Sequence, residues 1–242
     1  MEVSKHLLIH DIKFNKKSLN YKETFYFVAK CLTIALEDKN KCIIEKQLQS
    51  NNIDWDAVVK LSSAHYVFPA LYCNLKRSDF LKYLPKELVS YMEYITDLNR
   101  KRNQQIILQA KDLNKFLLAN NITPIFIKGC ANLLVGIYED ISERMLGDID
   151  FIISKEDYPK VVTILRENGY YDVFKYNRPS NLHYRRLKKD NFIAAIEIHH
   201  EFLRKKFTNE FNYNFIKKDS QNINGFEVLS YANKLNLSII AH

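Results

Sequence analysis

Residues Phe126–Ile153 read FIKGCANLLVGIYEDISERMLGDIDFII, and the way this stretch divides decides the fold. Its opening belongs to TPIFI (Thr123–Ile127), a short, apolar, partly β-branched run that predicts a strand. CANLLVGIY (Cys130–Tyr138) predicts a helix, and DIDFII (Asp148–Ile153) predicts a second strand. Lys128-Gly129 falls at the strand-to-helix turn between them. Glycine there allows a tight turn or the close approach of a ligand. A helix N-terminus with a lysine beside it suits a phosphate.

Working outward, the pattern before residue 120 is helical. Lys22–Glu37 carries Phe25, Val28, Ala29, Leu32, Ile34 and Ala35 at roughly helical spacing, and Lys41–Gln49 predicts a second helix. A third helix is expected after Asp54, a suitable N-cap. HYVFPALYCNL (His65–Leu75) turns at Pro69 and continues helically, and Pro85 suits the first position of a long helix. That helix has Leu88, Met92, Ile95, Ile106, Ala110, Leu113 and Leu117 on one stripe, with Asn99 and Arg102 among them. Either the helix outruns its core there, or Arg102 points into a polar cleft.

After DIDFII, KEDYPKVVTILRENGY (Lys155–Tyr170) predicts a helix stopped by Gly169. HYRRLKK (His183–Lys189) and FIAAIEIHHEF (Phe192–Phe202) predict a hairpin or two neighbouring strands. FEVLS (Phe226–Ser230) predicts a short strand, and Tyr231–His242 the beginning of a helix. The expected fold is α+β. A helical region, residues 1–120, precedes a mixed-sheet core flanked by helices over 121–230, and 231–242 begins a C-terminal helical segment that is either truncated at His242 or short in this protein.

Composition narrows the function classes. The chain has 242 residues, 47% hydrophobic and 26% charged, with five glycines and five prolines, as a globular protein rather than a disordered one would. A net charge of +8 favours phosphate-bearing partners without choosing among nucleotide, nucleic acid and anionic surface. The four cysteines, Cys31, Cys42, Cys73 and Cys130, show no C-x-x-C spacing, which argues against a structural zinc site. Their scatter suits a reducing, cytoplasmic setting. The N-terminus shows no signal-peptide pattern, and no apolar run approaches the ~18 residues of a membrane span.

The chemistry gathers on two strands. Alternate side chains of a strand share a face, so Asp148 and Asp150 point the same way, with Cα atoms ~6.6 Å apart. Paired carboxylates repel unless a cation lies between them, and a hard ion such as Mg²⁺ suits their oxygens. In AAIEIHH (Ala194–His200), Glu197 and His199 likewise share a face. A glutamate in an apolar strand is either exposed at an edge or paired. Its functional reading is a third carboxylate, with His199 as a scaffold residue beside it. A phosphate turn, an Asp pair and a later carboxylate are the parts that two-metal phosphoryl chemistry needs.

The combination IKG, then Arg144 ahead of GDIDFII, then EIHHEF resembles the uncharacterised nucleotidyltransferase family, a branch of the polymerase-β-type superfamily. DWDAVVKLSSAHYVFPALYCNL (Asp54–Leu75), with Trp55, His65 and Pro69, resembles its N-terminal helical segment. The similarity covers roughly residues 50 to 205. It implies that Asp148, Asp150 and Glu197 hold two Mg²⁺ ions with an NTP, with Mn²⁺ able to substitute, and that Glu197 helps deprotonate the acceptor. It implies further that Gly129 and the helix behind it hold the triphosphate, that Lys128 and Arg144 neutralise phosphate charge, and that Cys130 stands where the superfamily has Gly or Ser. His183 matches a family position, and His199, His183 and Arg102 are further candidates.

ATP is the favoured donor. The acceptor is left open among a small molecule, a peptide or protein, and an RNA such as tRNA. The family continues with helices beyond the LSIIAH position (Leu237–His242), which bears on acceptor binding. Two other readings stay open: a non-catalytic nucleotide- or partner-binding module, and transfer of the γ-phosphate instead. An RNA acceptor would use the basic clusters Asn99–Arg102, Arg185–Lys189 and Arg204–Lys206.

Overall fold

A computed structural model describes residues 20–173, 186–202 and 211–240. Two compact units divide these residues, one formed by residues up to 99 with 142–145, the other by 100–141 and everything from 146 onward.

The first unit is helical. Helix α1 (Tyr21–Cys31) starts from a capping box in which Asn20 and Glu23 bond each other's backbone N–H. It buries Phe27, Val28 and Cys31 and stops well before Glu37, the expected end. The cause is local. Thr33 Oγ1 donates to the Lys30 carbonyl and accepts from Asn40 Nδ2, so the chain turns where a helix would need that carbonyl. Helix α2 (Asp38–Gln49) consequently begins three residues earlier than its pattern suggested.

Helix α3 (Trp55–Ala64) is capped by Asp54, which accepts from the Ala57 N–H. Helix α4 (Phe68–Arg77) takes Pro69 in its first turn, where no intrahelical N–H is lost. The core of this unit packs Phe27 edge-to-face on Trp55 and buries Leu71, Leu75, Phe80, Leu88 and Met92.

Helix α5 (Lys86–Ala119) is continuous, and its first part belongs to this helical unit while the rest belongs to the second. Asn99, on its apolar stripe, is buried and donates to the carbonyls of Ser142 and Arg144. In the second unit Asn103 donates to the Ile141 carbonyl, and the Arg102 guanidinium donates to the carbonyl of Leu146. Neither reading of the polar stretch was therefore right. These side chains satisfy backbone carbonyls of the segment that leads into the second predicted strand.

Among the described residues, the second unit is a seven-stranded mixed sheet with helices. Its described elements are β1 (Ile125–Phe126), α6 (Lys128–Leu134), β2 (Asp148–Ile152), α7 (Tyr158–Glu167), β3 (Tyr171–Asp172), β4 (Leu187–Lys188), β5 (Ala195–His199), α8 (Tyr213–Lys218), β6 (Gln221–Ile223), β7 (Phe226–Val228) and α9 (Tyr231–Ile240). The strand order is β3-β4-β5-β2-β1-β7-β6. The central pair β2/β5 is parallel, β1 is antiparallel to β2, and β1 is parallel to β7. The architecture is α+β, with a helical region ahead of a mixed sheet.

Strand alternation separates two faces. Ile149, Phe151, Ile196 and Ile198 join Ile106, Ala110, Leu113 and Leu117 of α5 in the main core, with Val161 and Leu165 of α7. On the opposite face Ile152 packs with Ile125, Ile127, Ile216 and Leu229 in a smaller cluster. Asp150 and Glu197 share that second face, so they sit on a well-buried sheet beside apolar neighbours. Gln109 of α5 exchanges two hydrogen bonds with the Ala194 backbone, pinning the start of β5.

The sequence reading had no counterpart for β3, α8 or β6. The last was legible. Asn224 and Gly225, both at positive φ, join the paired residues Ile223 and Phe226 as a two-residue hairpin turn, and Asn-Gly is a strong signal for one. Among the described residues no helix is long and apolar enough to cross a membrane.

Candidate active site

The parallel register of β2 and β5 sets Asp148 beside Ala195, Asp150 beside Glu197 and Ile152 beside His199. Every second side chain shares a face, so Asp148, Asp150, Glu197 and His199 converge. Asp150, Glu197 and His199 are 3%, 7% and 5% exposed, whereas Asp148 lies half-buried at the start of its strand. Three buried or half-buried acids on one patch require positive charge nearby.

Two side chains supply it. The ammonium of Lys128 donates to Asp150 Oδ1 at 2.6 Å and lies 3.8 Å from Glu197 Oε2 and 3.4 Å from His199 Nε2. Arg186 bridges the other two acids, donating from Nη2 to Asp148 Oδ2 at 2.8 Å and from Nε to Glu197 Oε1 at 2.5 Å. His199 Nε2 lies 2.9 Å from Asp150 Oδ1 and acts as the donor there, since a carboxylate can only accept.

Local backbone explains how Lys128 gets there. One residue, Ile127, separates it from β1, and it opens α6 at φ +55°, a left-handed conformation that costs a lysine roughly 1–2 kcal/mol. Strain of this kind persists where surrounding contacts over-determine it, and here the side chain is held by Asp150. Beside it, the Ile127 N–H donates to the Asp150 carbonyl, tying the turn to β2.

Charge and burial shift the acids in opposite directions. Burial, helped by the charges of Asp150 and Glu197, raises Asp148 above its ordinary value, against the pull of Arg186 and Lys128. Burial also opposes the charge on Asp150, but the hydrogen bond from His199 and the charge of Lys128 outweigh it and hold that carboxyl below its ordinary value. The hydrogen bond to Glu197 raises Arg186, which stays charged in any case.

The donor set suits a divalent cation. One ligand atom each from Asp150, Glu197 and His199 lies within 4.8 Å of the others, and the Lys128 ammonium already sits among them. Asp148 and Glu197 offer further carboxylate oxygens on the same face, gathered on the Arg186 guanidinium.

The remaining expected site residues fall in different places. Gly129 is buried in the first turn of α6. Cys130 is sealed in the main core, and burial, with the nearby charges of Asp150 and Asp148, pushes its thiol up. Arg144 is exposed within the 142–145 segment of the helical unit, where Arg77 engages its neighbour Glu143. Arg102 binds the Leu146 carbonyl. His183 lies outside the described residues, as do Arg185 and Arg204–Lys206 of the basic clusters. In the cluster Asn99–Arg102, Arg100 is paired with Asp140 at 2.6 Å.

Arg186 was read only as part of a basic cluster. The signal for its real place lay in strand register. Leu187 opposes Ile196 in the antiparallel β4/β5 pair, so the preceding residue falls opposite Glu197.

A family model described as "Uncharacterised nucleotidyltransferase" matches residues 51–242. No curated protein and no solved structure matches the chain.

Proposed function

The chain belongs to the uncharacterised nucleotidyltransferase family, and from that premise we propose that it moves a nucleoside monophosphate from an NTP to an acceptor nucleophile. The pairing of Asp150 with Glu197 across β2 and β5, with Asp148 on the same face, is the observation that carries this reading. Divalent ions held there, Mg²⁺ with the NTP in the first instance, would activate the acceptor oxygen and stabilise the leaving pyrophosphate.

The chain's own residues have distinct tasks. Asp148, Asp150 and Glu197 provide the anionic oxygens. Lys128, whose side chain remains 48% exposed, reaches from the β1–α6 turn and can exchange Asp150 for a phosphate oxygen. Gly129 leaves its backbone without a side chain where that turn meets the triphosphate. Arg186, 52% exposed at its side chain, lines the Asp148 side of the patch.

In the reaction the acceptor oxygen forms a bond to the α-phosphorus. The bond from that phosphorus to the bridging oxygen of the β-phosphate breaks. Pyrophosphate leaves, and the acceptor's proton passes to Glu197.

The test offers the purified chain each NTP, labelled at the α- or the γ-phosphate, with Mg²⁺ and a cell extract, followed by mass spectrometry of the products. Transfer of α-label with release of pyrophosphate supports the proposal and identifies the acceptor. Transfer of γ-label, or NTP binding without any transfer, overturns it in favour of a phosphotransferase or a binding module respectively.

A further inference from the structure

His199 is set apart from the three acids by its chemistry. Its Nε2 lies 2.9 Å from Asp150 Oδ1 and 3.7 Å from Glu197 Oε2, and the three ligand atoms all fall within 4.8 Å of one another. Two ligands at right angles on one divalent ion, each at about 2.1 Å, are separated by about 3 Å. The Asp150–His199 edge already has that length, and the longer edges to Glu197 close on a shared ion as its carboxylate moves inward. A cationic group already fills it, since Lys128 Nζ lies 2.6, 3.8 and 3.4 Å from the same three residues. Among the described residues, Arg186 pairs with oxygens, those of Asp148 and Glu197.

The two positions thus differ in donor chemistry. Carboxylate oxygens alone suit Mg²⁺, whereas an imidazole nitrogen suits a transition metal. Resting on the metal-dependent reading above, we propose that the position now filled by the Lys128 ammonium is a mixed oxygen–nitrogen site of Asp150, Glu197 and His199 that takes a transition-metal ion such as Mn²⁺ in preference to Mg²⁺. Binding there moves Lys128 off Asp150 and turns the Nε2 lone pair to the ion, with the imidazole proton carried on Nδ1. Lys128 is then released toward the solvent side, where the triphosphate arrives.

The experiment uses the full chain and Mn²⁺ itself as probe. Mn²⁺ and Mg²⁺ affinities are measured by calorimetry, and the bound Mn²⁺ is examined by pulsed electron paramagnetic resonance for coupling to a directly ligated ¹⁴N. The expected result is a ¹⁴N coupling in the wild-type protein that disappears in His199→Gln, together with a loss of about tenfold or more in Mn²⁺ affinity. Mg²⁺ affinity, which an oxygen donor can sustain, should change far less. Bound Mn²⁺ without nitrogen coupling, or a coupling that persists in His199→Gln, overturns the mixed site while leaving the three-carboxylate reading intact. Absence of Mn²⁺ and Mg²⁺ binding, even with NTP present, overturns both. The wild-type spectrum decides the question by itself should the variant fail to fold.

Discussion

Asp150 on β2 stands directly beside Glu197 on the parallel neighbour β5, and Lys128 reaches both. Two acids so close on a buried sheet face are costly without a counter-charge. The fold spends two cationic side chains, Lys128 and Arg186, on holding them. That cost is intelligible if the acids serve a cation or a phosphate, and it leads to outcomes that separate chemistry from stability.

Asp150→Asn and Glu197→Gln should each lower nucleotidyl transfer by at least about a hundredfold, the scale on which single charge-stabilising groups act. Circular dichroism should show the fold retained. Label transfer close to the wild-type rate in either variant would remove that residue from the chemistry.

Asp148 should behave differently in the metal-free protein. Its carboxyl is raised above its ordinary value by burial and by Asp150 and Glu197. A raised acid binds its proton more tightly in the folded state, so stability falls as pH rises through its unfolded value and stays lowered beyond the folded one. Asp148→Asn removes that charge. In chelator at pH 7 the variant should melt higher, by about 1–3 °C for a chain of this size. The gain should fade below about pH 4, where the unfolded carboxyl is also protonated. A lower melting temperature at pH 7 would show that the Arg186 contact outweighs the burial and repulsion.

Arg186→Met leaves Asp148 and Glu197 without their bridging guanidinium. Because the side chain is half-exposed, solvent screening limits the loss to about 1 kcal/mol. Denaturant melts should show that loss in chelator and a smaller one in excess divalent ion. An equal loss in both would mean that Arg186 acts through packing.

Asn103 is fully buried and donates to the Ile141 carbonyl at 2.6 Å. Asn103→Leu leaves that carbonyl without this donor, which should cost about 1–3 kcal/mol. Urea unfolding would measure it. A neutral result would show that the 141–146 segment is held mainly by other contacts.

Much of the site was legible because strand alternation has a short period. Asp-x-Asp in DIDFII and Glu-x-His in EIHH each place two side chains on one face whatever the rest of the fold does. The Asp54 cap and the Asn224-Gly225 hairpin turn are equally local, though only the cap was recognised. The roles of Asn99 and Arg102 were not legible because their partners are carbonyls more than 40 residues away, in a segment with no periodic pattern of its own.

The sequence by itself determined the order of elements, helices before a mixed sheet, and the pairs of polar side chains that share a face within each strand. Local propensity and periodicity suffice for those. Only the tertiary structure decided that β2 and β5 are parallel neighbours in the register that sets Asp150 against Glu197. It alone decided that Arg186 closes on them from β4's edge, that Lys128 turns back through a left-handed backbone onto Asp150, and that Cys130 disappears into the core. Register is a non-local quantity. It is set by which faces bury against α5 and against the smaller apolar cluster, and no window of sequence contains both partners.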